Sequence, residues 1–133
     1  MADNLTDLAE ARALNFLTGN AGATAPTLPL MVRLMTANGS DSAPGTEVAN
    51  SGGSTYSPQT VSFPAAVGSG SPVGNTADLV FSNMPACTVV GVEIWDSNGS
   101  PFRWWWGAAT NSQVVNAAGT VRIVAGTLTV SMQ

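Results

Sequence analysis

Two alternating runs on either side of an Asn-Gly turn constrain this chain more than any other feature. "TVVGVEIW" (88–95) and "PFRWWWGAA" (101–109) flank "DSNGS" (96–100), whose centre Asn98-Gly99 is a strong hairpin signal. Successive side chains of a strand point to opposite faces. Alternation therefore predicts Phe102, Trp104 and Trp106 on one face, with Arg103 and Trp105 on the other. On the partner strand it predicts Val90, Val92 and Ile94 as an aliphatic wall, and Gly91, Glu93 and Trp95 on the opposite side. If one face carries up to three aromatics into the core, Trp105 looks outward beside Arg103, with Trp95 and Glu93 as neighbours. The set Trp95, Arg103 and Trp105 fits three roles: a subunit interface, further core beneath a loop or helix, or a platform for carbohydrate. In its plainest role, Arg103 pairs with Glu93 across the hairpin.

The rest of the chain repeats the hairpin's period. "LPLMVRLMTA" (28–37) sets Leu30, Val32 and Leu34 against Met31, Arg33 and Met35. Turn formers fill 38–55, and "YSPQTVSF" (56–63) follows, with Val61 and Phe63 on one face and Pro58 at an edge or entry. After the loop 64–75, "TADLVFS" (76–82) alternates Ala77, Leu79 and Phe81 against Asp78, Val80 and Ser82. Beyond the hairpin come "SQVVN", the turn "AAGT", "VRIVA" and "GTLTVSM", the last with Leu128, Val130 and Met132 facing one way. Seven or eight short strands between turn signals predict a mainly β protein, an antiparallel β-sandwich or jelly-roll-like barrel. No repeat of fixed period is visible.

The first 18 residues read as a helix. Asn4 or Thr6 caps it, Asp7 and Glu10 suit its N-terminal dipole, and Gly19 ends it. Leu5, Leu8, Ala9, Ala13, Phe16 and Leu17 recur at spacings of three and four as one apolar stripe, while Leu14 points elsewhere. The expected organisation is a helical arm at 1–19, a linker at 20–29 and one β-domain at 30–133. Leu5, Leu8, Phe16 and Leu17 are its candidate contacts, on a neighbour or on the arm's own sandwich.

Charge is scarce: 9% of residues, with four arginines, no lysine, no histidine and a net charge of −4. Ordinary domains hold about 25%. The basic footprint of a nucleic-acid partner is absent. Serine and threonine, 27 together, carry the solubility. Such a surface suits lasting contact with other subunits, because interface cores are depleted in charge. It equally suits an ordinary Ser/Thr-rich β-domain. No stretch approaches the roughly 20 apolar residues of a membrane span. The acidic opening "MADNLTDLAEARALNFLTG" is no signal peptide, so Asn4, Asn38 and Asn98 read as chance sequons. The lone Cys87 makes no internal disulfide and reads as a small core hydrophobe rather than a reactive thiol.

The same counts exclude most catalysis. Without histidine there is no Ser-His-Asp, Cys-His or His-metal arrangement, and without lysine no Schiff base. No phosphate-binding glycine motif stands between a strand and a helix. Glu93 and Asp96 remain as a carboxylate pair for glycosidase chemistry, yet Asp96 lies where turns use aspartate for their own sake. "DSNG" (96–99) opens like a calcium loop but lacks the distal glutamate, and Asp41 and Glu47 are loop acids of the kind that help hold a cation. The expectation is a protein that is not an enzyme and carries no cofactor or metal.

Read end to end, the segments "MADNLTDLAEARALNFLTG", "TLPLMVRLMTANGSD…GTEV", "YSPQTVSF", "GNTADLVFS", "GVEIWDSNGSPFRWWWGA" and "VNAAGTVRIVAGTLTVSM" resemble, in order and spacing, small structural proteins of tailed bacteriophages. That family carries mixed labels: head decoration, minor capsid and tail-fibre-like protein. The resemblance implies a virion protein made in the host cytoplasm. Its first implied role is a capsid decoration or minor capsid protein that clamps the major capsid protein shell, as dimers or trimers of itself. Its alternative is a tail-tip or tail-fibre protein touching host-surface glycans. Neither role involves nucleic acid, a membrane or a small-molecule substrate.

Overall fold

A computed structural model describes residues 4–21, 24–68 and 72–132. In chain order the elements are β1 (Asn4–Leu5), α1 (Asp7–Leu17), β2 (Leu30–Ala37), β3 (Thr46–Glu47), β4 (Gln59–Val61) and β5 (Val73–Gly74). Then come β6 (Leu79–Met84), β7 (Cys87–Trp95), β8 (Arg103–Val115), β9 (Gly119–Ile123) and β10 (Thr129–Val130). A six-stranded antiparallel sheet runs β1-β8-β7-β2-β3, with β4 also on the edge of β2. Two small sheets, β10-β5 and β6-β9, complete an antiparallel sandwich. The strands beyond the expected seven or eight are two-residue pieces, too short for any period to register.

On β2, β6 and the second half of β7 the core lies where alternation put it. Val32 and Leu34 of β2, and Val92 and Ile94 of β7, face Leu79 and Phe81 of β6, Ile123 of β9 and Leu128 beside β10. Phe81 is fully buried and stacks on Tyr56 at 6.0 Å between ring centroids. Burying one such side chain stabilises the fold by about 1.5–3 kcal/mol. The Tyr56 hydroxyl accepts from the Leu34 amide at 2.9 Å and donates to Glu47 at 3.0 Å. Burial holds that phenol above its ordinary range. Met132, expected on the same face as Leu128 and Val130, is exposed where those two are buried, and it lies beyond the end of β10 at Val130. Cys87 is half-buried against the core, and burial pushes its thiol up.

The long strand β8 departs from the reading twice. "SQVVN" is no separate strand: it is the far end of β8, continuous with the tryptophans. Register runs Val89↔Gln113, then Gly91↔Ala108, so Ala109–Ser112 bow out opposite the single residue Val90. The phase of β7 shifts with it. Val89 takes the core position, and Val90, expected in the aliphatic wall, is only half-buried.

The helix begins where a side chain can cap it. Thr6 has extended backbone angles (φ −77°, ψ 155°), and its hydroxyl accepts from the Ala9 amide at 3.2 Å. Asp7 and Glu10 occupy the first turn. At the other end the Gly19 amide donates to the Phe16 carbonyl, and Gly19 sits at φ +69°, which favours glycine. Leu5 is not part of the helix. Asn4 and Leu5 form β1 and pair with Trp106 and Trp105 on the edge of β8. Of the linker, Thr27 and Pro29 are fastened to the hairpin turn by Ser97, through its amide at 2.9 Å and its hydroxyl at 2.5 Å.

Candidate functional site

The triple tryptophan does not alternate as expected, because it contains a bulge. Glu93 pairs with Trp106, Ile94 with Trp105 and Trp95 with Arg103, which leaves Trp104 as an extra residue. Arg103 and Trp106 therefore share the outer face with Glu93 and Trp95. Trp105 shares the core face with Ile94 and packs against the core. The expected pairing of Arg103 with Trp105 on one face is thus corrected. So is a joint Trp95–Trp105 platform, since the two indoles lie on opposite sides of the sheet.

Three of the four indoles are fixed by carboxylates. Trp95 Nε1 donates to Glu93 at 2.9 Å, Trp104 Nε1 to Asp96 at 3.2 Å and Trp106 Nε1 to Asp41 at 2.8 Å. Trp105 Nε1 is buried, with no hydrogen-bond partner among the described residues. Phe102 packs on Trp104 at 4.9 Å between centroids, and the Arg12 guanidinium lies 3.7 Å from the Phe102 ring centre. Arg33 lies 4.4 Å over Trp95.

Glu93 is the hub of the outer face and is 1% exposed. One oxygen accepts from Arg103 at 3.0 Å and from the Gly45 amide at 2.7 Å, while the other accepts from Trp95. Arg103, also buried, sends its second nitrogen to the carbonyls of Ser40 (2.6 Å) and Asp41 (3.2 Å). The ion pair expected across the hairpin is present, and it also staples the loop 38–45 onto the sheet. The approach is close enough that a Cβ at Gly45 would strike the Ala37 carbonyl. The other expected carboxylate, Asp96, serves the turn. Burial raises its pKa, but the Phe102 amide, the Trp104 indole and the Asn98 and Thr27 amides outweigh this and hold it below the ordinary range.

The loop acids expected near a cation have other partners. Asp41 holds Trp106, and Glu47 pairs with Arg33 at 3.4 Å and takes the Tyr56 hydroxyl. Among the described residues no three acidic, cysteine or histidine side chains gather around one point, and no helix is long and apolar enough to cross a membrane.

The arm is seated by its backbone. The Thr6 amide donates to the Trp104 carbonyl at 3.1 Å, and the Thr6 hydroxyl to the Arg103 carbonyl at 2.9 Å. Of the expected stripe, Ala9 is fully buried and Leu5 is half-buried. Leu8, Phe16 and Leu17 are 66%, 74% and 72% exposed, and Leu14 is 61% exposed. Phe16 follows Ala9 by about two helical turns and so points the same way. It is nonetheless 74% exposed. A groove of about 490 Å³ remains beneath it, walled by Ala13, Phe16, Leu17, Pro26, Trp104 and Met132. A second cleft, of about 470 Å³, opens where the helix start, loop 41–44 and the hairpin meet, with Trp95, Phe102 and Arg103 in its lining. Sequence reasoning passed over Arg12, Asp41, Phe102 and Trp106 as parts of this surface. The one signal available was that a buried indole usually finds an acceptor, a rule that three of the four tryptophans here follow.

No curated protein and no solved structure matches the chain. A family model described as "Podophage GP4 fiber I protein gp80" matches residues 4–131, from the first residue of β1 to beyond β10. That description names a fibre, where the sequence reading put a capsid decoration protein first. A match across nearly the whole sandwich and its arm places this virion structural protein in a family: the chain belongs to the podophage GP4 fiber I protein gp80 family.

Proposed function

We propose that the chain is a non-catalytic structural subunit of a phage fibre, joined to copies of itself or to a neighbouring virion protein through its N-terminal arm. The observation that carries this is the exposed apolar face of the helix. The helix is fixed at one end by backbone hydrogen bonds to β8, and it holds Leu8, Leu14, Phe16 and Leu17 61–74% exposed in a chain with only 9% charged residues. Covering those side chains removes apolar surface from water, worth roughly 25 cal/mol per Å² before the entropy of association is subtracted. The same arm serves a second reading, in which the chain decorates the head by clamping the major capsid protein.

Immunogold labelling of intact particles with antibody to this chain separates the two. Gold on fibres is expected. Gold confined to the head overturns the fibre reading in favour of decoration. In co-sedimentation, the chain lacking residues 1–19 is expected to lose particle binding, and retained binding rules out the arm as the attachment.

A further inference from the structure

We propose that the cleft between the helix start, loop 41–44 and the hairpin binds a neutral saccharide ring. Three separate stretches of chain converge on it and border an open cleft of about 470 Å³, within the range of roughly 300–1,000 Å³ for small-ligand sites. Its apolar lining comes from Trp95, Phe102 and Pro44, and its polar rim from Asp7, Asp41 and Ser42. A sugar ring asks for this combination: an aromatic surface for its C–H face and acceptors for its hydroxyls.

The walls are fixed before any ligand arrives. Arg103 holds the loop by the Ser40 and Asp41 carbonyls, and Glu93 holds it by the Gly45 amide. The Asp7 amide donates to the Asp41 carbonyl at 3.3 Å, tying helix to loop. Trp95 is pinned through Nε1 and braced by Arg33; Phe102 is pinned through its amide to Asp96 and braced by Arg12. Little ordering cost therefore falls on binding. The rim still has hydrogen-bonding capacity. Among the described residues neither the Asp7 carboxylate nor the Ser42 hydroxyl has a partner, and Asp41 uses one oxygen for Trp106.

Charge sets the class of sugar. Arg103 is paired with Glu93 and Arg33 with Glu47, so among the described residues Arg12, over the Phe102 ring, is the one cation set against the rim acids and the surroundings stay net negative. Two carboxylates remain at the rim. Uronic, sialic and phosphorylated sugars meet repulsion there, while neutral and amino sugars do not. That such a saccharide would be a host-surface glycan rests on the fibre reading; the cleft itself does not.

The test uses the full chain and reads tryptophan fluorescence and ligand-observed NMR. The probes are glucose, galactose, rhamnose and N-acetylglucosamine, against glucuronic and sialic acid, all at millimolar concentration. Binding of at least one neutral sugar is expected, with none of the acidic pair. Ser42→Trp fills the cleft from an exposed loop position and is expected to weaken binding by at least about tenfold. Trp105→Phe, on the other face, leaves it unchanged. Asp7→Asn combined with Asp41→Asn is expected to admit the acidic sugars. Silence of every neutral sugar, a preference for the acidic ones, or binding that survives Ser42→Trp overturns the cleft. If that happens while gold still marks fibres, the cleft fails and the fibre reading stands.

Discussion

Glu93 concentrates three donors, including a buried guanidinium, on one nearly inaccessible carboxylate. Removing the charge leaves Arg103 buried and uncompensated, a change that typically costs about 3–5 kcal/mol. Glu93→Gln is therefore expected to lower the unfolding free energy from urea titration by that order, and adding Arg103→Met to restore part of the loss; a free energy unmoved by Glu93→Gln would show that the pair holds nothing. The partnership was readable in advance, since the two residues stand on the two arms of one hairpin. The bulge at Trp104 was not, because an extra residue in a ladder leaves no mark on composition. It alone carried Trp105 to the core face. The acceptor of Trp106 was equally hidden, since Asp41 lies 65 residues away along the chain.

At the scale of elements, the hairpin turn is held by an acid whose ionised form the fold prefers. The Asp96 pKa is lowered from the ordinary 3.8. Its contribution is thus present above that value and is lost as pH falls through the lower folded value. Asp78 acts in the same direction, through the Ala125 amide and then Arg122. Thermal melts across the acid range should show stability declining below about pH 5. Asp96→Asn should melt lower at neutral pH and follow a shallower acid limb; an unchanged limb refutes the assignment to Asp96. The turn, the helix ends at Thr6 and Gly19, and the inward faces of β2 and β6 were legible, each marked by a residue type with a local reason. The continuity of β8 was not: "TNSQ" is made of residues that turns also favour, and only pairing with β7 makes its far side a strand.

As a whole molecule, the chain joins a sandwich with a covered core to an arm that exposes Leu8, Leu14, Phe16 and Leu17 together on one short helix, while the sandwich exposes Val67, Val114 and Met132 at scattered points. Phe16 and Leu17 make little contact within their own chain, so Phe16→Ser with Leu17→Ser should change unfolding free energy by no more than about 0.5 kcal/mol. The same pair should shift the protein toward monomer in light scattering. Self-association that persists in this variant removes the arm from the contact. Fold class could be read from period and turns, whereas the exposure of the helix end could not, since a helical stripe does not reveal which of its residues the body covers.

The bowed segment of β8 limits how copies can join. An incoming strand laid along that edge meets β1 at Trp105–Trp106 and, a few residues on, backbone displaced at Ala109–Ser112. No straight run is left to zip. Growth by backbone ladder, the route to irreversible aggregates, is closed on that side, so any copies that met there would be held by side-chain contacts and could come apart without a strand being peeled from its sheet.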